Sequence, residues 1–166
     1  IDHPVVPLPL PQPLPQGDYL QLITPQDCRP KPFTSRTPVG VLGLLPIHHF
    51  KQSEIVLAFE RGAVDDAITR SVDKNAAIKC TQDWSAALIE AAQTAGTNQI
   101  ITPMAAVGPV ATHLDTAKTD LAKAGIRLHQ HQQVYDTLTW PHATKGFFKL
   151  KKKIPSILND LGLSNQ

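Results

Sequence analysis

Seven histidines, two cysteines, an aspartate pair and a cluster of lysines are the side chains of this 166-residue chain whose types and spacing could make a site. His129 and His131 stand at i, i+2, which puts both on one face of a strand, and His48 adjoins His49. No nearby Cys, Asp or Glu completes a tetrahedral set around either pair. The histidines therefore read as surface or hydrogen-bonded groups, and no metal is expected. Cys28 and Cys80 lie 52 positions apart without a CxxC spacing, which argues against a disulfide framework or a cysteine zinc site and for a reducing compartment. Nothing in the sequence pairs either thiol with a histidine base that would activate it. Cys80, at the end of an apolar run, reads as a small buried hydrophobe. Asp65-Asp66 is spaced for i, i+4 pairs with Arg61 and Arg70, the pattern of a solvated helix face. Lys145, Lys149, Lys151, Lys152 and Lys153 precede Pro155. Two readings stand for them: contacts to nucleic-acid phosphates, or an exposed basic helix end that complements the dipole.

The signatures of phosphate and acyl chemistry are absent. A dinucleotide fingerprint would place glycines after the first strand, where backbone amides and a helix N-terminus hold pyrophosphate; this chain has Thr24-Pro25-Gln26-Asp27-Cys28-Arg29 there. Gly40 and Gly43 lie inside an apolar run and read as packing positions. There is no GxxxxGK[ST] loop and no GxSxG elbow. No paired acid and base or activated nucleophile emerges, so whether the chain is an enzyme is left open, with a small-molecule enzyme the weakest reading.

The elements that must position these residues follow from periodicity. The chain is 42% hydrophobic and 18% charged with a formal charge of +2, a composition that fits one α/β domain and sets up no global field that would demand a polyanionic partner. No apolar stretch reaches the roughly 20 residues of a membrane span, and the start lacks a basic n-region and an apolar h-region. A soluble, cytoplasmic protein with no membrane partner is expected. Eleven of the 15 prolines fall in the first 46 residues. Residues 1–17 read as an extended, proline-rich linker, and the initial Ile reads as the start of a piece of a longer chain.

Short apolar runs then alternate with amphipathic stretches, the mark of βα units on a parallel sheet. Strands are predicted at Tyr19–Thr24, Val39–Leu45, Ala76–Cys80, Gln99–Thr102 and Ile126–His131, the last as an edge. Gln52–Val72 is predicted mainly helical, with IVLAF (55–59) as an alternative local strand. Thr81-Gln82-Asp83 offers N-cap chemistry before a helix that ends at Gly96, and Gly108-Pro109 opens a helix running to Gly125. The fold class expected is α/β: a Rossmann-like doubly wound sheet of about five parallel strands, with domain bounds 1–17, 18–134 and 135–166, the last read as a helical arm carrying a Trp-Pro turn, a Gly-Phe-Phe unit and the lysines.

Several segments together resemble the α/β (antenna) domain of the DNA photolyase/cryptochrome family. YLQLITPQDCRP (19–30) is similar to that family's first strand and its Asp- and Arg-containing turn, keeping Asp27 and Arg29. DWSAALIEAAQTAGTNQIIT (83–102) is similar to its acidic helix start, amphipathic helix, glycine and fourth strand. GPVATHLDTAKTDLAKAGIRLHQH (108–131) resembles the helix that ends in Ala-Gly-Ile before the fifth strand, and WPHATKGFFKLKKKIP (140–155) resembles a segment of bacterial photolyase-like proteins.

The resemblance implies an accessory domain of a flavoprotein for light-dependent DNA repair or light sensing. FAD is then expected only in a separate helical domain of the same parent protein, which would be this chain's partner and would be the part that meets damaged DNA. A chromophore site would lie at the carboxyl ends of the strands, lined by Thr24, Gln26, Asp27, Thr102, Met104 and Gly108. Where folate-holding members show Asn and Glu after the fourth strand, this chain has Pro103-Met104-Ala105-Ala106, so folate is not expected. The alternative is a stand-alone Rossmann-like module that binds a nucleotide or a partner protein.

Overall fold

The structure, a computed structural model, describes residues 13–48, 51–73 and 76–163; most of the proline-rich lead and His49 lie outside them. Compact packing divides the chain after His131.

Within Leu14–His131, five strands form one parallel sheet: β1 (Leu20–Ile23), β2 (Gly40–Leu45), β3 (Ala77–Cys80), β4 (Gln99–Pro103) and β5 (Arg127–His131). Their order is β3-β2-β1-β4-β5. The sheet is therefore wound in both directions from its centre, and the fold is α/β and Rossmann-like. β1 and β2 are buried at every position, as apolar runs in the middle of a parallel sheet must be.

Three helices make the crossovers: α1 (Glu54–Thr69) after β2, α2 (Trp84–Thr94) after β3 and α3 (Pro109–Lys123) after β4. Alternation along the strands sorts the core into two layers. Leu20, Leu22, Leu42, Leu44 and Ile100 pack against Trp84, Leu88, Leu114 and Leu121 of α2 and α3. Ile23, Val41 and Leu45 pack against Val64, Ala67 and Ile68 of α1. Gly43 permits that second contact, because a Cβ there would stand 2.7 Å from Val64 Cγ1 and 2.8 Å from Ile68 Cδ1.

The stretch predicted mainly helical forms α1, and the alternative of a local strand at IVLAF falls away: it is the first turn and a half of the helix, begun by Ser53, whose hydroxyl accepts from the Val56 amide. One local expectation is overturned. Cys80 is exposed rather than buried, because β3 is an edge strand with only β2 beside it. Of the two spaced ion pairs on α1, Asp66 and Arg70 meet, with Nε donating to Oδ2 at 2.9 Å, whereas Arg61 and Asp65 do not pair.

No helix joins β1 to β2. Pro25, Pro30, Pro32 and Pro38 fall in that connection, each lacking an N–H and fixing φ, so the segment stays irregular. Side chains of β1 hold it instead. Tyr19, fully buried, accepts from the Phe33 amide at 3.1 Å and donates to the Arg36 carbonyl at 3.3 Å. Gln21 donates from Nε2 to the carbonyls of Arg29 at 2.9 Å and Lys31 at 3.2 Å. The loop reaches the sheet edge through Phe33, which meets the His131 ring edge-on.

The segment after His131 contains α4 (Val134–Thr139), a 3-10 stretch (Trp140–Lys145), α5 (Phe147–Lys151) and α6 (Ile154–Asp160). No described helix is long and apolar enough to cross a membrane.

Candidate functional site

The order β2-β1-β4 places the reversal of winding between β1 and β4. At such a point the connections leave the carboxyl ends of neighbouring strands in opposite directions and a crevice opens between them. Thr24 follows β1, Thr102 lies in β4, and Gly108 caps α3. The six residues expected at this crevice therefore come from the end of β4 and from the connections that follow β1 and β4.

Their roles differ. Thr24 and Thr102 are 3% and 1% exposed, and the buried Thr102 hydroxyl has no hydrogen-bond partner. Gln26 is exposed, Asp27 half-buried. The Asp27 amide donates back to the Thr24 carbonyl at 3.1 Å, closing a tight turn that projects Gln26 between them. Across the crevice Gly108 has φ +149, a conformation side chains rarely adopt. A Cβ placed there would stand 3.7 Å from the Gln26 side-chain amide, so the two loops meet at these residues. Met104 is half-buried, and its amide donates to the His131 carbonyl at 2.8 Å, fastening the β4–α3 loop to the end of β5.

The electrostatics are mild. α3 begins with Gly108 and Pro109 and has no side chain capping its first turn, which leaves first-turn amides open to an acceptor. Neither Lys nor Arg is among the six residues. A ligand with polar groups and a planar or apolar body fits this donor set better than a bare polyphosphate. Cys28, hydrogen-bonded by its thiol to the Thr24 carbonyl at 3.6 Å, has its pKa raised by burial and then by the Asp27 carboxylate. Both effects favour the neutral thiol over the thiolate. Burial and then the Arg29 charge lower the His131 pKa, and burial and then Arg127 lower that of His129. His129 pairs with Gln99 Oε1 at 2.7 Å, a structural role. Among the described residues no three His, Cys, Asp or Glu side chains gather as a metal site would require.

No family model, curated protein or solved structure matches this chain.

Beside the crevice lies a groove of about 440 Å³ that the sequence did not disclose. Its walls come from three separate carboxyl-end connections: Ile47 and His48 after β2, Gln82 after β3, and Pro109, Thr112, His113 and Thr116 on the opening turns of α3. His113 stacks on Trp84, with ring centroids 4.9 Å apart and planes within 10° of parallel. Trp84 is buried, and its indole N–H has no partner. His48 is fixed by Glu60 of α1 at 3.3 Å. The hydroxyls of Thr112 and Thr116 donate to carbonyls one turn back, leaving their oxygens as acceptors. The only sequence signal was weak: His113 lies three residues after core residue Val110 and directly before Leu114, on the border of α3's apolar stripe.

Proposed function

We propose that this chain is the accessory, antenna-type α/β domain of a photolyase/cryptochrome-like flavoprotein, and that its crevice between β1 and β4 seats a small planar ligand. The observation that supports this reading is the approach of Gln26, after β1, to Gly108, before α3, since these two positions lie in the two segments that resemble the family. The role assigned to the chain is binding and orientation. The Gln26 amide and the open first-turn amides of α3 supply hydrogen bonds, and Met104 supplies an apolar wall. FAD chemistry and contact with damaged DNA belong, on this reading, to a helical domain of the parent protein.

A folate is not the ligand proposed. The residues after β4 are Met104, Ala105, Ala106 and Val107, which offer no side-chain amide or carboxylate to a pterin.

The absorption spectrum of the purified full-length parent protein tests this. A flavin band, with FAD released on denaturation, is expected; its absence refutes the assignment. The groove at His113 favours a second reading, a stand-alone nucleotide-binding module. A thermal-shift screen of nucleotides supports that reading if one raises the melting temperature, since a ligand selective for the folded state stabilises it.

A further inference from the structure

Charge is unevenly spread along this chain. Residues 137–159 contain five lysines and no Asp or Glu, while elsewhere the 11 other basic residues are outnumbered by 14 acidic ones. A chain of formal charge +2 thus carries a strongly cationic segment on an otherwise acidic body.

We propose that residues 147–153 form a binding surface for single-stranded nucleic acid. Phe147 and Phe148 are 61% and 77% exposed, with rings edge to face at 5.9 Å. Lys149, Lys151, Lys152 and Lys153 are exposed. Among the described residues none of the four is in an ion pair; the pairs that form lie elsewhere. Helical backbone continues from α5 through Lys152 (φ −64, ψ −20) and Lys153 (φ −96, ψ −14). Phe147 and Lys151, and likewise Phe148 and Lys152, are therefore i, i+4 neighbours with Cβ atoms about 5–6 Å apart. Each ring is matched with an ammonium one turn on, so a base stacked on the ring has its phosphate within reach of the charge.

This arrangement favours a single strand over the other polyanions. A helix that lies in a membrane interface separates its apolar face from its basic face, and here each Phe shares a face with a Lys. A duplex would satisfy the lysines but keeps its bases stacked inside, leaving both rings idle. Unpaired bases use both groups, as in stacking platforms set in a positive field.

Fluorescence anisotropy of the full chain with a labelled oligothymidylate tests the proposal, with the matching duplex and phosphatidylserine vesicles as competitors. Binding to the single strand is expected, with log K falling against log salt at a slope of about −3, since four neutralised phosphates contribute about −0.7 each. Phe148→Ala should weaken binding about fivefold or more. The double variant Lys149→Glu, Lys152→Glu should remove at least half the salt slope. These side chains are exposed, and unchanged circular dichroism verifies that the variants fold. Failure to bind the single strand at low salt, competition by duplex or vesicles at lower concentration than unlabelled oligothymidylate, or wild-type affinity in Phe148→Ala would each overturn the proposal.

Discussion

Replacing Tyr19 by Phe removes one oxygen and almost no volume from a fully buried position. That oxygen takes the Phe33 amide at 3.1 Å and gives its proton to the Arg36 carbonyl at 3.3 Å, so two hydrogen bonds across the β1–β2 connection are lost together. At a net 0.5–1.5 kcal/mol each, the cost is about 1–3 kcal/mol. In a protein of this size each kcal/mol lowers Tm by about 2–4 °C, giving an expected drop of about 2–12 °C. Urea denaturation measures the global term, and the slope m should stay unchanged. Hydrogen exchange measures the local one. Peptides covering residues 29–37 should lose protection, while those from β4 and α3 change only by the global amount. A loss below about 0.5 kcal/mol with unaltered loop exchange would refute the claim that the Tyr19 hydroxyl anchors the connection carrying Gln26 and Asp27.

Two further perturbations probe the sheet. Gly43→Ala places a methyl 2.7 Å from Val64 Cγ1 and 2.8 Å from Ile68 Cδ1, and the overpacking should destabilise by about 1–3 kcal/mol in chemical denaturation; adding Val64→Ala should relieve part of that strain, and strict additivity of the pair would count against it. Burial lowers the pKa of both His129 and His131 from 6.5, so the unfolded chain takes up protons at a higher pH than the folded one. Stability should hold above pH 6.5, fall as the pH drops below it and level off beneath the folded-state values. The slope of Tm against pH should be shallower in His129→Gln, His131→Gln, and an equal slope would show that other groups set the acid limb.

The sheet was legible because its strands are short apolar runs closed by Pro or followed by capping residues. Asp83 does cap α2, accepting from the Ala86 amide at 2.8 Å, and Pro109 does open α3. The start of α1 left a strand open as an alternative for a physical reason. Ile55, Leu57 and Phe59 are 81%, 46% and 75% exposed, so their alternation imitates a strand while the helix leaves them to solvent. Cys80 misled because its neighbour pattern says strand but cannot say edge. The six residues assigned to the crevice came from the rule that ligands gather at strand carboxyl ends. That rule could not tell that Thr24 and Thr102 would be buried and Gln26 exposed. The His113 groove was out of reach, since its walls come from three connections far apart in the chain and its stacked Trp84–His113 pair joins two helices.

Gln21 is the residue that links fold to site. A buried carboxamide in the central strand is costly unless bonded, and a doubly wound sheet with a helix over β1 would have an apolar residue there. Here the prolines of the β1–β2 connection exclude that helix, and an irregular segment presents carbonyls where a helix would present a hydrocarbon stripe. Gln21 Nε2 meets two of them, at Arg29 and Lys31, although its Oε1 remains without a partner. The loop is therefore secured at this strand by the polar groups of Tyr19 and Gln21. Segments held by few buried apolar contacts open at lower free energy than the core. The turn bearing Gln26 and Asp27 grows out of this segment, whereas the opposite wall grows out of β4 and α3, whose Ile100, Val110 and Leu114 are packed into the main core. The two connections are thus secured differently, that after β1 by the polar groups of Tyr19 and Gln21 and that after β4 by the apolar core.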